Sequence, residues 1–392
     1  MKFQNLTLGA MAALLVACAQ QPAKEESCQK HLGLCCKSFG SAVVDGDSVR
    51  LYTLRNDSTG MVAQFTNLGA KLVTLYTPDR NGDFADVVCG YATAAEYAAC
   101  DNKAGKGEPF FGATIGRYGN RIAAGKFSID GVEYQTEVNE INRTLHGGSK
   151  GFFSVMFKAN KIDDQTIEFT YKSADGEMGF PGNLDMKLTY KLTNCGALKL
   201  VYEATTDKPT VVNLTHHSFF NLAGEGDSTI CDEQIEIYAD NITPVDRNLI
   251  PTGELMPVEG TPFDLRNATV IGEGIKGDHE QLKLAGGYDH NWVLSSEPDS
   301  CGLRKAARVF DPQSGRVMTV YTTEPGIQFY AGNFMNSTQI GKTGVKYPYR
   351  SALCLETQHF PDSPNHDNFP STILRPGETY NHVCVYKFDV EK

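Results

Sequence analysis

With 392 residues, 41% apolar content and no low-complexity tract, the chain can bury a large core and reads as a folded globular protein. Its 36 basic against 47 acidic side chains leave a net charge of −11, spread along the sequence rather than gathered in a tail. With no basic patch to neutralise phosphates, nucleic acid is excluded as a partner, and a neutral substrate fits the charge better.

At the N-terminus, Met1-Lys2 precedes a mostly uncharged run, FQNLTLGAMAALLVAC, that ends in small residues. One Lys, an apolar stretch too short to span a membrane and a small-residue cleavage site predict a secretory signal over residues 1–17. The last four residues, Leu15-Val16-Ala17-Cys18, resemble the bacterial lipobox, in which the cysteine is acylated and becomes the new N-terminus. A plain signal peptide cut nearby is the simpler alternative. The expectation is lipidation at Cys18 and a polar tether over 18–44. The protein is then exported and held in the bacterial cell envelope by its lipid alone, followed by one domain over 45–392. An exported chain could oxidise Cys28, Cys35 and Cys36 into a clip or join Cys89 to Cys100. Cys195, Cys231, Cys354 and Cys384 lie in strand-like runs and read as small buried hydrophobes. There is no C-x-x-C pair to suggest zinc or thioredoxin-type chemistry.

From about Val43 the chain reads as β throughout. SVRLYTLRN, MVAQFTNLGAKLVTLYTP, KFSIDGVEYQTEV, FFSVMFKANKI, QTIEFTYKS, LDMKLTYKLT, ALKLVYEATT and HVCVYKFDV alternate apolar with polar residues or are rich in β-branched ones. Turn signals such as NGD, IDGV, SADGE and TNCG separate them. Only TAAEYAA predicts helix, and then about two turns. Many closely spaced strands without alternating helices predict an all-β fold, a large antiparallel β-sandwich, in one domain.

Several motif matches fail on context. Gly147-Gly148-Ser149-Lys150-Gly151 fits G-x-S-x-G, but a nucleophile elbow needs a helix after it, and here a strand pattern follows. Gly112, Gly116 and Gly119 have the wrong spacing for a dinucleotide site, and no Walker or H-E-x-x-H sequence occurs. What remains is a set of polar residues inside apolar or glycine-bounded runs: Asn120, Arg121, His146, His217, Asp289, Gln328 and Glu356. Glu356, directly after SALCL, is the most telling, because a carboxylate in a buried strand costs free energy unless it is paired or used. Burial would raise its pKa towards that of a general base working near neutral pH. Singly, each residue also has a bland reading. Arg121 fits a strand-edge ion pair as well as a ligand contact, His146 fits a turn hydrogen bond, and Asp289 fits a loop-stabilising side chain.

Six motifs in order, GATIGRYGNRIAAGKF, LHGG, NLTHHSFFNLAG, GYDHNW, GIQFYAGNF and CLETQHFPDSPN, resemble the aldose 1-epimerase (galactose mutarotase) family over roughly residues 45–390. The resemblance implies a large antiparallel β-sandwich and an isomerase that interconverts sugar anomers by acid–base ring opening, without cofactor or metal. It implies Glu356 as general base and His217 as general acid. Arg121, His146 and Asp289 would hydrogen-bond sugar hydroxyls, with Asn120 and Gln328 in support. As an acid, His217 is expected to need a neighbouring carboxylate, Glu356 or Asp289, to raise its protonated fraction. The chain departs from the family at His216, where asparagine is common, and at Phe219, where tyrosine is frequent. In a strand only one of His216 and His217 can face a ligand. Rival readings are a non-catalytic sugar-binding protein and a glycoside hydrolase using Asp289 with Glu356 as its two carboxylates.

Overall fold

The computed structural model describes residues 32–99 and 109–392; the predicted signal peptide and Cys18 lie outside the described residues. Alternating side chains build the largest element, an antiparallel nine-stranded sheet. Its order is Lys158–Lys161, Thr166–Ser173, Leu184–Thr193, Ala197–Thr206, Tyr380–Val390, Arg316–Thr322, Arg304–Phe310, Gln234–Ile237 and Thr269–Val270. In Leu184–Thr193 the buried positions are Leu184, Met186, Leu188, Tyr190 and Leu192, so the period-2 pattern of LDMKLTYKLT directs one face inward. Ala197–Thr206 continues it through a tight turn, with Leu198, Leu200, Tyr202 and Ala204 on the buried face.

A second antiparallel sheet, in the order Met256–Pro257, Ala239–Thr243, Asp289–Leu294, Gly326–Tyr330 and Cys354–Gln358, covers that face. One hydrophobic cluster joins the two: Leu188, Leu200, Met318 and Tyr386 from the long sheet meet Trp292, Ile327, Phe329 and Leu355. Cross-sheet hydrogen bonds reinforce it, from the Tyr386 hydroxyl to Leu355 O at 2.9 Å and between Thr357 Oγ1 and His382 Nε2 at 2.9 Å. A four-stranded antiparallel sheet of Leu51–Arg55, Val62–Thr66, Lys71–Pro78 and Phe84–Asp86 adds Leu54, Phe65, Leu72 and Leu75 to the same core. Among the described residues, α-helix is confined to segments of four to six residues. The all-β sandwich is the observed fold.

Local departures from the sequence reading have physical causes. Residues 32–44, assigned to the tether from their polarity, belong to the β unit: Cys36–Phe39 forms a helical turn, and Ala42–Val44 pairs with Asp47–Val49. Phe39 anchors this segment, buried 6.2 Å from the Tyr97 ring. In FFSVMFKANKI only Lys158–Lys161 is strand; Phe152–Ser154 is a 3-10 turn that buries both adjacent rings, which a strand would send to opposite faces. The short helix Glu280–Ala285, not anticipated, is capped by the His279 side chain accepting from Gln281 N and stopped by Gly286 at φ +68°. Cys35 is disulfide-bonded, whereas Cys36 and Cys89 are free, so neither a Cys36 link nor a Cys89–Cys100 bridge forms.

Candidate active site

Strand alternation delivers the polar residues to one cavity. In Cys354–Gln358, Leu355 enters the shared core while Glu356 points the opposite way. Gln328 is the cross-strand partner of Glu356 in the neighbouring strand, flanked by the core residues Ile327 and Phe329. Asp289 begins the next strand along, opposite Tyr330. The short strand Thr215–His217, paired with Ala113–Ile115, brings in His217, and Thr215 Oγ1 donates to Thr357 O at 2.8 Å to tie it to the Glu356 strand. A cavity of about 610 Å³ results, lined by Asn120, Arg121, His146, His217, Asp289 and Glu356 together with the rings of Phe110, Phe219, Tyr330 and Phe334. A wider groove of about 1010 Å³ on the long sheet gathers none of these residues.

The loop residues reach the cavity through unusual backbone. His146, Gly147 and Gly148 all have positive φ, and a Cβ on Gly147 would lie 2.1 Å from Gly116 O, so LHGG is a steric requirement of the turn. Asn120, at φ +63°, donates its backbone N–H to His146 Nδ1 at 3.1 Å. The two arginines of GRYGNR part company. Arg117 is buried away from the site and donates to Pro181 O and Gly182 O, each at 2.8 Å, whereas Arg121 donates to Asp289 Oδ2 at 3.1 Å and Asn120 Oδ1 at 3.3 Å. Gln328 Nε2 holds the other Asp289 oxygen at 2.7 Å. Arg143 also lines the cavity, but its guanidinium pairs with Glu140 at 2.6 Å.

His217 Nε2 lies 3.6 Å from Glu356 Oε1, just beyond a hydrogen bond, while His217 Nδ1 lies 3.5 Å from Cys354 Sγ. Glu356 Oε2 is buried with no hydrogen-bond partner among the described residues. Burial, and then the Asp289 charge, push the Glu356 carboxyl well above its ordinary range, against the opposing pull of Arg121. For Asp289 burial acts in the same direction, yet Arg121 and the Gln328 hydrogen bond outweigh it and bring its pKa below normal. Asp289 is therefore an ionised anchor, poorly suited to serve as the proton-donating carboxylate of a hydrolase. His217 departs from expectation. Burial lowers it to about 4, and the helpful Asp289 charge does not make up the difference. Burial, helped by His217 and Arg121, likewise keeps His146 well below its usual value.

His146, His217 and Glu356 bring three potential ligand atoms within 4.8 Å of one another. The hydrogen-bonding pattern does not fit a resident metal ion. Because His146 Nδ1 accepts from Asn120, the neutral ring carries its proton on Nε2, the nitrogen left for the cavity. That atom donates hydrogen bonds and cannot ligate a cation.

His216 faces the other way. It is buried 5.6 Å from the Tyr190 ring of the long sheet, with Ser218 Oγ 2.9 Å from its Nδ1, and burial lowers its pKa to about 3. It is a neutral core residue. All seven polar residues singled out from the sequence thus meet in or directly behind one cavity. Of the aromatic walls the sequence singles out only Phe219; Phe110, Tyr330, Phe334 and Cys354 were missed, because rings and thiols within apolar runs look like core.

Comparison with known proteins agrees with this geometry. The family model described as Aldose 1-epimerase matches residues 50–387. The galactose mutarotase of Rattus norvegicus is 42% identical over 352 residues, spanning 90% of this chain and 97% of the relative. The aldose 1-epimerase of Escherichia coli (strain K12) is 38% identical over 349 residues, spanning 88% and 97%. Among solved structures, an aldose epimerase homologue from C. elegans superposes with a TM-score of 0.79 at 28% identity, over 88% of this chain and 100% of that one. A galactose 1-epimerase from Lactobacillus acidophilus NCFM gives 0.77 at 26% identity, over 90% and 97%.

Proposed function

The chain belongs to the aldose 1-epimerase family and is an isomerase that interconverts sugar anomers, and we propose that Glu356 and His217 are its catalytic base and acid. The observation that carries this assignment is the buried 3.6 Å contact between His217 Nε2 and Glu356 Oε1 in a cavity whose lining includes hydrogen-bonding groups and rings. The Glu356 carboxylate takes the proton of the C1 hydroxyl. The C1–O bond becomes a carbonyl, the C1–O5 bond breaks, and O5 receives the proton from His217 Nε2. Rotation about C1–C2 offers the opposite carbonyl face, and the same two transfers run backwards to close the ring. A positioned acid and base each contribute about 10²–10⁴ in rate, which suits a reaction that already proceeds in water.

Burial disfavours both charges, lowering His217 and raising Glu356, so the carboxyl holds a proton more readily than the imidazole does. Moving it to His217 leaves the net charge of the pair unchanged, and the two opposite charges then attract each other. A C1 hydroxyl donating to Glu356 and a ring oxygen accepting from His217 stabilise the ionised pair further, since hydrogen bonds to a charged form favour it. Arg121, His146 with its Nε2–H, and Asp289 hold the remaining hydroxyls, supported by Asn120 and Gln328, while Phe110, Phe219 and Tyr330 cover the sugar faces. The test is polarimetry of freshly dissolved α-D-galactose or α-D-glucose: catalysed relaxation to the equilibrium rotation is expected. A rate equal to buffer would refute the activity, and release of reducing sugar from a glycoside would favour a hydrolase.

For the N-terminus, the LVAC sequence at residues 15–18 supports export and acylation at Cys18, with the enzyme anchored to the cell envelope. Labelled palmitate should enter the wild-type protein and not Cys18→Ala. Equal labelling, or none in either, would refute the anchor.

A further inference from the structure

We propose that Cys354 is a positioning residue for the acid: its sulfur accepts a hydrogen bond from His217 Nδ1–H and so keeps Nε2 as the nitrogen that exchanges a proton with the substrate. The inference rests on the acid role of His217. When the imidazolium gives its Nε2 proton to O5, the neutral ring left behind carries its remaining proton on Nδ1. That proton needs an acceptor in a buried site, and the Cys354 sulfur is 3.5 Å away. The sulfur is the one side-chain partner of Nδ1 among the described residues, beside a contact of the ring with its own His217 backbone, and it lies in an apolar cluster with Phe111, Phe219, Tyr330 and Met335.

The neighbouring histidine supplies the contrast. His146 Nδ1 accepts from the Asn120 backbone N–H, which fixes its proton on Nε2 as a permanent donor. The two rings lie 5.2 Å apart in one cavity, yet one is wired to donate a fixed hydrogen bond and the other to pass a proton to and fro. The choice of sulfur is chemically meaningful. Burial pushes the thiol well above its ordinary pKa, so it stays neutral and is a weak acceptor. A carboxylate in its place would hold the imidazolium and weaken it as an acid. The other groups around His217 are Glu356 on the same strand as Cys354, together with Asp289, Arg121, His146, Tyr330 and the adjoining His216. None of them lies on the Nδ1 side at hydrogen-bonding distance among the described residues.

The experiment combines 15N-histidine NMR with pH-dependent polarimetry on wild type, Cys354→Ala and Cys354→Ser. The free wild-type enzyme at neutral pH should show His217 protonated on Nδ1 and His146 on Nε2. Cys354→Ala should lower kcat about tenfold, the equivalent of one hydrogen bond, with KM unchanged. Cys354→Ser should restore most of kcat and shift the acid limb of the pH profile upward by about one unit, because oxygen accepts better than sulfur from a charged ring. A His217 proton found on Nε2 in the free enzyme would overturn the proposal. So would kcat and a pH profile identical in all three proteins. The NMR result does not depend on turnover, so an inactive wild type would refute the enzymatic reading while leaving this one to be judged on the spectra.

Discussion

Glu356→Gln removes the base while keeping the shape of the side chain, and the structure sets two expected magnitudes. The first is kinetic. An amide still accepts a hydrogen bond from the C1 hydroxyl but cannot take its proton, so kcat should fall by about 10²–10⁴, or about 2.7–5.4 kcal/mol of barrier, with KM changed little. The second is thermodynamic and has the opposite sign. The Glu356 carboxyl is raised above its unfolded value of 4.5, so the folded state disfavours ionisation. Its contribution to stability is intact below pH 4.5 and is lost as the pH rises towards the folded-state pKa. The amide has no such loss. Glu356→Gln should therefore melt higher than wild type at neutral pH, and the difference should grow by about 1.4 kcal/mol per pH unit across that window. Polarimetry on fresh α-D-galactose measures the first effect and thermal melts from pH 4 to 8 the second. A variant retaining a tenth or more of wild-type kcat would refute the base assignment, and a pH-independent melting difference would refute the burial argument.

Adjacent histidines should behave oppositely. His217→Asn should cost about 10²-fold or more in kcat, while His216→Asn, behind the strand, should leave kcat within about threefold and lower stability by about 1 kcal/mol through lost packing. Exchange of those two outcomes would put the strand register off by one. The pH profile of kcat/KM should be bell-shaped for the pair as a unit, with its acid limb near 4, where the lowered His217 titrates, and its basic limb set by the raised Glu356. An acid limb at the ordinary histidine value, about 6.5, would show that burial does not control the pair.

How much the sequence revealed depended on whether a strand has one wet face. Leu184–Thr193 and Ala197–Thr206 were legible to their ends because their outer faces carry Lys and Glu. Cys354–Gln358 and Gly326–Tyr330 are buried on both faces, so alternation is invisible there and only the misplaced polarity of Glu356 and Gln328 betrayed a function. Of the two carboxylates expected to raise His217, Asp289 does so and Glu356 does not, and the outcome is still a lowered value, because desolvation depends on neighbours such as Phe110 and Phe219 that come from distant segments. Cys354 could not be told from a structural thiol, since its meaning lies in a ring 137 residues away.

Each functional side chain on the strands shares its backbone with a core residue next to it: Glu356 with Leu355, Gln328 with Phe329, Asp289 with His290, and His217 with His216. The acid and the base are thus mounted on the very segments whose opposite faces hold the two sheets together. Catalytic geometry then cannot soften while the interior stays firm, as it can when catalytic groups ride on a mobile lid. For this enzyme, heat inactivation and the loss of the sandwich should trace a single curve, and residual activity becomes a direct gauge of the folded fraction.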